Sequence, residues 1–495
     1  MSLKAQAIRG LLWSGVQTWG NQAGSLLVFF VLARLLSPEA FGLMAIANIG
    51  IAFCQIFLQR GLSEVLIQRQ TLTPEFLNTV FWVNLAIALL LMLLGLGTAE
   101  YIADLFQQPQ LTAILQALCV LLPMLALSSV PQAFLERQFA FKAIALRQLI
   151  GMVLGGLVGV GMAWSGYGVW SLVGQQLVQE GVGLIVLWQA SPWRPTGPFS
   201  LSQFSLSQGL SQGRELGQWA VPLLGFNLFN FLNSRTDDFL IGYFLGTVPL
   251  GYYSIAYRIL GVLQQLLVQT SKQVALPTFS RLQTEPEECR RAFYRATQLT
   301  SAIAFPIFLG VSVLAPELIQ VLFGNQWQPA AIVLQVLALA GLFQSISFFK
   351  SSIFLAMGKP MWSLWLAGLT FVLNAIGFAI AVPWGIVAVA AAFVIRGYLV
   401  FPIGQWAVSR LIHTPLLSYL RQFTAPLLAA VIMAGSLLLV KSFLGEFSDS
   451  LVIVMVSVLG AIVYSLLLFG LSPKLFQELS TLIHLVRSSA KPPTP

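Results

Sequence analysis

Apolar residues follow one another in blocks of about twenty, as in residues 76–97, 364–382 and 451–470, parted by short polar stretches carrying Pro, Gly or basic residues. A helix rises ~1.5 Å per residue, so a block of ~20 crosses the ~30 Å hydrocarbon layer of a bilayer. A membrane barrel would instead show segments of ~10 residues alternating in polarity, and the sequence has none. The pattern predicts fourteen helices, at about 11–33, 40–59, 76–97, 111–130, 144–164, 168–189, 217–244, 249–271, 293–314, 328–349, 361–382, 384–407, 422–443 and 450–470. The stretch at 190–216, rich in Ser, Gln, Gly and Pro, reads as a surface tether. The expected fold class is therefore an all-α membrane protein. An N-lobe of six transmembrane helices occupies 1–189, a linker 190–216 and a C-lobe of six helices 217–407. Two further helices occupy 408–470, and a tail 471–495.

The composition agrees with this reading. Of 495 residues, 57% are hydrophobic and 9% charged, with a mean hydropathy of +0.83; soluble domains carry about a quarter charged residues. Lys4 and Arg9 before an apolar stretch resemble a secretory signal. That stretch, 11–33, is too long for one, contains Asn21 and Gln22, and lacks a small-residue cleavage site, so it is taken as the first membrane helix. Cys54, Cys119 and Cys289 predict no disulfide framework, and His413 and His484 stand apart, so neither a metal nor a cofactor is expected.

The net charge of +9 follows from topology. With the N-terminus inside, 21 of the 26 basic residues fall on inner segments, as the positive-inside rule requires. Arg60, Arg69, Arg147, Lys350, Arg487 and Lys491 are among them, whereas Arg34 and Lys441 fall outside and Arg235, Arg258 and Arg396 within spans. Both ends are expected in the cytoplasm. Attraction to anionic headgroups accounts for the basic balance, and no nucleic-acid partner is expected.

An internal repeat divides the chain. Residues 35–47 (LLSPEAFGLMAIA) align without gaps to 244–256 (FLGTVPLGYYSIA), so that Leu36, Gly42, Ile46 and Ala47 recur as Leu245, Gly251, Ile255 and Ala256. Leu105-Phe106 followed by AILQAL recurs as Leu322-Phe323 followed by IVLQVL, and Gly168 and Gly385 open the sixth and twelfth spans. An even number of helices separates the copies, so the halves share one orientation, with a pseudo-two-fold axis along the membrane normal.

Ionisable residues inside spans cost ~2.5–3.5 kcal/mol on insertion scales and are functional candidates by default. Away from the span edges these are Glu180, Arg235, Asp237, Asp238, Arg258 and Arg396. A guanidinium stays charged and grips phosphate bidentately, so Arg258, Arg396 and Arg235 are candidate phosphate-binding groups. Structural pairing is the competing reading: Arg235 and Asp238, at i,i+3, can face each other. The repeat sets Glu180 within about one residue of Arg396, which leaves Glu180 either as that arginine's counter-ion or as a protonatable coupling site. Asn227 and Asn230 align with Thr18 and Asn21 under the repeat. These four either form a hydrophilic cavity wall or hydrogen-bond between helices. The glycines of 151–166 point to close helix packing.

Several stretches are familiar. SGVQTWGNQAGSLLVFFVLARLLSPEAFGLMAIA, RGLSEVLIQRQ, PQAFLERQFAFKAIA and DDFLIGYFLGTVPLGYYSIAYRI resemble the Wzx-like polysaccharide flippases. These form the polysaccharide transporter branch of the multidrug/oligosaccharidyl-lipid/polysaccharide (MOP) exporter superfamily. The resemblance implies a V of two six-helix lobes with a cavity open alternately to each side of a bacterial cytoplasmic (inner) membrane. It implies export of undecaprenyl-diphosphate-linked oligosaccharide for surface polysaccharide or lipopolysaccharide, coupled to a cation gradient. Membrane lipids and the polysaccharide assembly machinery are the further partners it implies. The alternatives are a multidrug/cation antiporter or lipid II flippase of the same superfamily, and a membrane glycosyltransferase or polymerase. Against an enzyme, the chain has no DxD and no nucleotide-binding glycine loop.

Overall fold

The computed structural model describes residues 3–59, 74–138, 140–195, 206–444, 447–479 and 481. Residues 196–205 of the expected linker, Arg60 and Arg69, and Arg487 and Lys491 of the tail lie outside the described residues. The described chain is helical throughout, without strands. The first part holds α1 (Leu3–Leu35), α2 (Pro38–Gln59), α3 (Pro74–Leu105), α4 (Gln110–Cys119), α5 (Leu121–Arg137), α6 (Phe141–Trp164) and α7 (Trp170–Ala190). Next come α8 (Leu206–Leu245), α9 (Thr247–Gln264) and α10 (Thr270–Arg281). They are followed by α11 (Pro286–Phe323), α12 (Pro329–Ser347), α13 (Lys350–Ala356), α14 (Pro360–Ala381) and α15 (Ile386–Ile412). Last are α16 (Leu416–Arg421), α17 (Thr424–Phe443) and α18 (Asp449–Leu471).

Ten stretches among the described residues are long and apolar enough to cross a membrane. They match the second to fifth and ninth to fourteenth expected spans. The other four expected spans are helices too, α1, α7, α8 and α9. These four carry Thr18 and Asn21, Glu180, the Asn227–Asp238 polar run, and Arg258. These candidates thus sit on the helices whose apolarity they dilute, while Arg396 lies on α15, one of the ten.

The chain forms two compact units, Met1–Gly251 and Tyr252–Pro495. The division falls in the first turn of α9, beyond the linker, because α8 packs on α2 within the first unit. Phe231 meets Phe53 at 5.7 Å, and Phe239 stands edge-on to Phe106 at 5.5 Å. In the same unit α6 is gripped on two sides. A Cβ at Gly151 or Gly155 would lie 2.6 or 2.7 Å from the carbonyl oxygens of Gln179 and Gln175 on α7, and one at Gly156 would lie 2.5 Å from Val28 on α1. The glycine stripe thus brings backbones together as small residues do between membrane helices.

The repeat reappears in the backbone. Gly168 and Gly385 have φ of +55° and +93°, and Gln107 and Gly324, each following the repeated Leu-Phe, have φ of +54° and +95°. Gly42 and Gly251, matched by the alignment, make reciprocal contacts. A Cβ on Gly42 would lie 1.9 Å from the carbonyl oxygen of Thr247, and one on Gly251 2.0 Å from that of Pro38. Pro38 and Thr247 are themselves matched by the same alignment.

In the second unit α11 packs on α12, α17 and α18. Proline inside a helix removes the amide that would bond four residues back. Pro306 of α11 so deprives the Ala302 carbonyl, and the Tyr464 hydroxyl of α18 donates to it at 2.6 Å. The first unit repeats the device: Pro131 of α5 leaves the Leu127 carbonyl, which accepts from Trp188 Nε1 at 3.1 Å. Lys441 joins α17 to α11, pairing with Glu317 at 2.8 Å and donating to the Val313 carbonyl at 3.0 Å. Leu157, Leu439 and Leu466 stay exposed, as residues facing lipid do.

Candidate functional site

In the first unit, the close α6–α7 packing sets a guanidinium against a carboxylate. Arg147, grouped with the inner segments by the sequence pattern, lies in the second turn of α6 and is buried. Its Nη2 stands 3.6 Å from Oε2 of Glu180. The Glu180 ion pair is therefore made with Arg147 of its own unit, where the sequence reading offered Arg396. Arg147 packs directly against Gly183 of α7, where a Cβ would lie at ordinary contact distance from its Nε, 3.4 Å.

The pair belongs to a chain of polar groups. Arg147 also donates to Gln132 Oε1, and Gln132 Nε2 donates to Glu136 at 2.9 Å. On the other side Gln17 of α1 donates to Gln148 at 2.9 Å. Arg147, Glu180, Gln132, Glu136 and Gln148, with Asn21, Ser128, Ser129 and Gln179, line a cavity of about 420 Å³ walled by α1, α5, α6 and α7. The Asn21 Oδ1 is buried and accepts no hydrogen bond among the described residues. Sequence reasoning found Asn21 and Glu180 but missed Arg147, Gln132, Gln148 and Gln179. Arg147 sits inside the fifth expected span, and that position was the available signal.

The remaining polar candidates of the first unit divide. Arg235 pairs with Asp238 at 3.0 Å along α8, the structural alternative of the two open readings. Asn227 is buried, Asn230 half-buried and Thr18 exposed; none of Asn227, Asn230 and Thr18 lines the cavity.

In the second unit, Arg258 and Arg396 lie on α9 and α15, whose sequences contain neither Asp nor Glu. An aromatic contact links the two helices: Tyr257 stands edge-on to Phe393 at 5.8 Å, and the Arg396 guanidinium lies 4.6 Å from the same ring. Beside Arg396, Gly397 yields its side-chain space to Phe343, whose ring lies 1.9 Å from where a Cβ would be. Lys350, also grouped with the inner segments, is buried at the start of α13 with its Nζ 5.2 Å from the Phe401 ring. Two turns after Arg258 the helix widens into a π-turn at Gln265–Gln269, a feature frequent at functional sites. Gln264, just before it, donates to Gln344 of α12.

The folded chain resembles known transporters. A lipid II flippase in an inward closed conformation superposes with a TM-score of 0.76 at 16% identity, covering 94% of this chain and 99% of that one. A multidrug resistance MATE family transporter of the MOP superfamily, inward-facing, gives 0.60 at 16% identity, covering 79% and 96%. The fold is thus that of the MOP exporters. In sequence, the succinoglycan biosynthesis transport protein ExoT of Rhizobium meliloti is 28% identical, over 98% of this chain and 97% of its own length. The lipopolysaccharide biosynthesis protein WzxC of Escherichia coli is 24% identical over 74% and 71%. The family model described as "Polysaccharide biosynthesis protein" matches residues 31–332, which include Glu180, Arg235 and Arg258. With more than half its length matched, this chain belongs to the polysaccharide biosynthesis protein family.

Proposed function

We propose that the protein is a flippase for lipid-linked oligosaccharide, of the undecaprenyl-diphosphate type, in the bacterial cytoplasmic membrane with both ends inside. The observation that carries this is the joining of two guanidinium-bearing helices in the second unit. Tyr257 beside Arg258 meets the ring on which Arg396 lies. Guanidinium binds phosphate through two parallel hydrogen bonds, and a diphosphate crossing the bilayer needs such groups to replace its water. The transport and lipopolysaccharide-biosynthesis names of ExoT and WzxC support a lipid-borne sugar as cargo. The flipped unit then passes to the polysaccharide assembly machinery.

The site opens alternately to the two sides of the membrane, and a cation gradient biases the exchange. Glu180 is the coupling group of this reading. Protonation cancels its attraction for Arg147, and the bias is limited to the proton's differential affinity for the two states.

The test is export of polysaccharide by cells carrying Arg258→Ala or Arg396→Ala. Export should cease while the protein inserts and accumulates, and lysine at either position should restore it only in part, lacking the bidentate fork. Wild-type export by both alanine variants refutes the phosphate-binding role.

A further inference from the structure

We infer that the polar cavity of the first unit is a binding site for an uncharged, polyhydroxylated ligand, a sugar residue of the transported glycan. The inference rests on the flippase reading. It assigns the sugar to a place other than the arginines proposed to hold phosphate.

Three observations lead there. First, the lining is polar in a way that packing does not require. Burying an amide or hydroxyl without a partner is costly, yet the Asn21 Oδ1 is buried without one and the Gln179 amide has no hydrogen bond among the described residues. Second, donors and acceptors alternate. Gln148 keeps its amide hydrogens, because its oxygen accepts from Gln17. Ser128 gives its proton to the Met124 carbonyl at 3.0 Å and presents its lone pairs, whereas Ser129, which donates to the Ala126 carbonyl at 2.7 Å, already accepts from Asn84 at 2.9 Å and keeps one lone pair. A hydroxyl, which donates and accepts at once, fits such an array better than any purely donating or accepting ion. Third, the charges select. Glu136 and Glu180 outnumber Arg147, which disfavours a phosphate, and the guanidinium among them disfavours a metal cation. The Arg147–Glu180 distance of 3.6 Å is too long for a direct hydrogen bond. A sugar hydroxyl at the cavity side of the pair would accept from the guanidinium and donate to the carboxylate as the two draw apart.

The volume agrees. About 420 Å³ lies within the ~300–1,000 Å³ of small-molecule sites, and is ample for a sugar ring with accompanying water.

The test captures the cell's own lipid-linked sugar. A photoreactive diazirine amino acid replaces Gln179 or, separately, Gln148, in the full-length chain in native membranes of polysaccharide-producing cells grown with radioactive phosphate. Matching proteins carry it in place of Tyr257 in the second unit and of Leu157 on the exposed face of α6. After irradiation each protein is purified under denaturing conditions and split. One half is treated with mild acid, which cleaves the glycosyl–phosphate bond. Glycan is read by periodate–hydrazide labelling and phosphate by radioactivity.

Glycan should stay attached at positions 179 and 148 after acid while phosphate is lost, and position 257 should show the reverse. Changing Gln179→Leu should lower glycan capture at position 148 about tenfold, the effect of losing one amide's hydrogen bonds. Glycan at neither cavity position, or no more than at Leu157, overturns the inference, as does phosphate retained there after acid. Capture at 257 alone sinks the inference and leaves the flippase reading standing. Capture at none of the positions sinks both.

Discussion

Replacing Tyr464 by phenylalanine removes one hydroxyl, and the structure says what that hydroxyl does. Pro306 has no amide hydrogen, so the Ala302 carbonyl four residues earlier lacks its usual helical donor, and Tyr464 supplies one at 2.6 Å. The phenol is buried, with 8% of Tyr464 exposed, so water cannot take its place. Leaving a buried acceptor unmet costs ~1–3 kcal/mol, and that is the expected loss for Tyr464→Phe. Pro306→Ala returns an amide hydrogen to the same carbonyl. In that background Tyr464→Phe should cost less than about 1 kcal/mol, because the acceptor already has a partner. Reversible unfolding of the purified protein in mixed micelles measures all four proteins of the cycle. An equal loss from Tyr464→Phe with and without Pro306 would refute the argument, since the carbonyl would then not be what the phenol serves.

Four other outcomes are expected. Gly42→Ala and Gly251→Ala should each destabilise by ~1–3 kcal/mol or more, and the double variant by less than the sum, since one displacement relieves both contacts; additive losses in the same unfolding assay count against the reciprocal contact. Lys441→Met should cost ~3–5 kcal/mol by leaving Glu317 uncompensated, and Lys441→Met with Glu317→Gln should recover much of it by thermal unfolding. Glu180→Gln should abolish gradient-driven export in vesicles while passive equilibration of substrate persists; unchanged gradient-sensitive export rejects Glu180 as the coupling group. Single cysteines at Ser202 and Thr98 in a cysteine-free background should label from opposite sides of the membrane, and same-side labelling removes the orientation proposed here.

The helices were legible because lipid imposes one rule on every span, a run of apolar residues of fixed length. α14 and α18 follow the expected spans to within a residue or so. The Arg235–Asp238 pair was legible as one of two readings, because its partners share a helix face. The Arg147–Glu180 pair was hidden because its members come from different helices, and only glycine-mediated contact between α6 and α7 brings them together. No property of residue 147 names residue 180. Lys350 was hidden for a simpler reason: it stands one residue beyond the edge of an expected span, where a basic residue ordinarily marks the membrane surface.

The reciprocal contact of Gly42 with Thr247 and Gly251 with Pro38 bears on how such a chain arises. Each half carries both the gap and the carbonyl that fills the other's gap, so the surface is self-complementary, the property of an isologous dimer. A helix start of this kind can meet a second copy of itself through the same two contacts. Gene fusion then replaces a concentration-dependent encounter with an intramolecular one and lifts the constraint that both partners be identical. Only after fusion can one half keep isoleucine at position 49 while its counterpart becomes Arg258. In a homodimer any such guanidinium appears twice, facing its own image, so an uneven distribution of charge is open only to the joined chain.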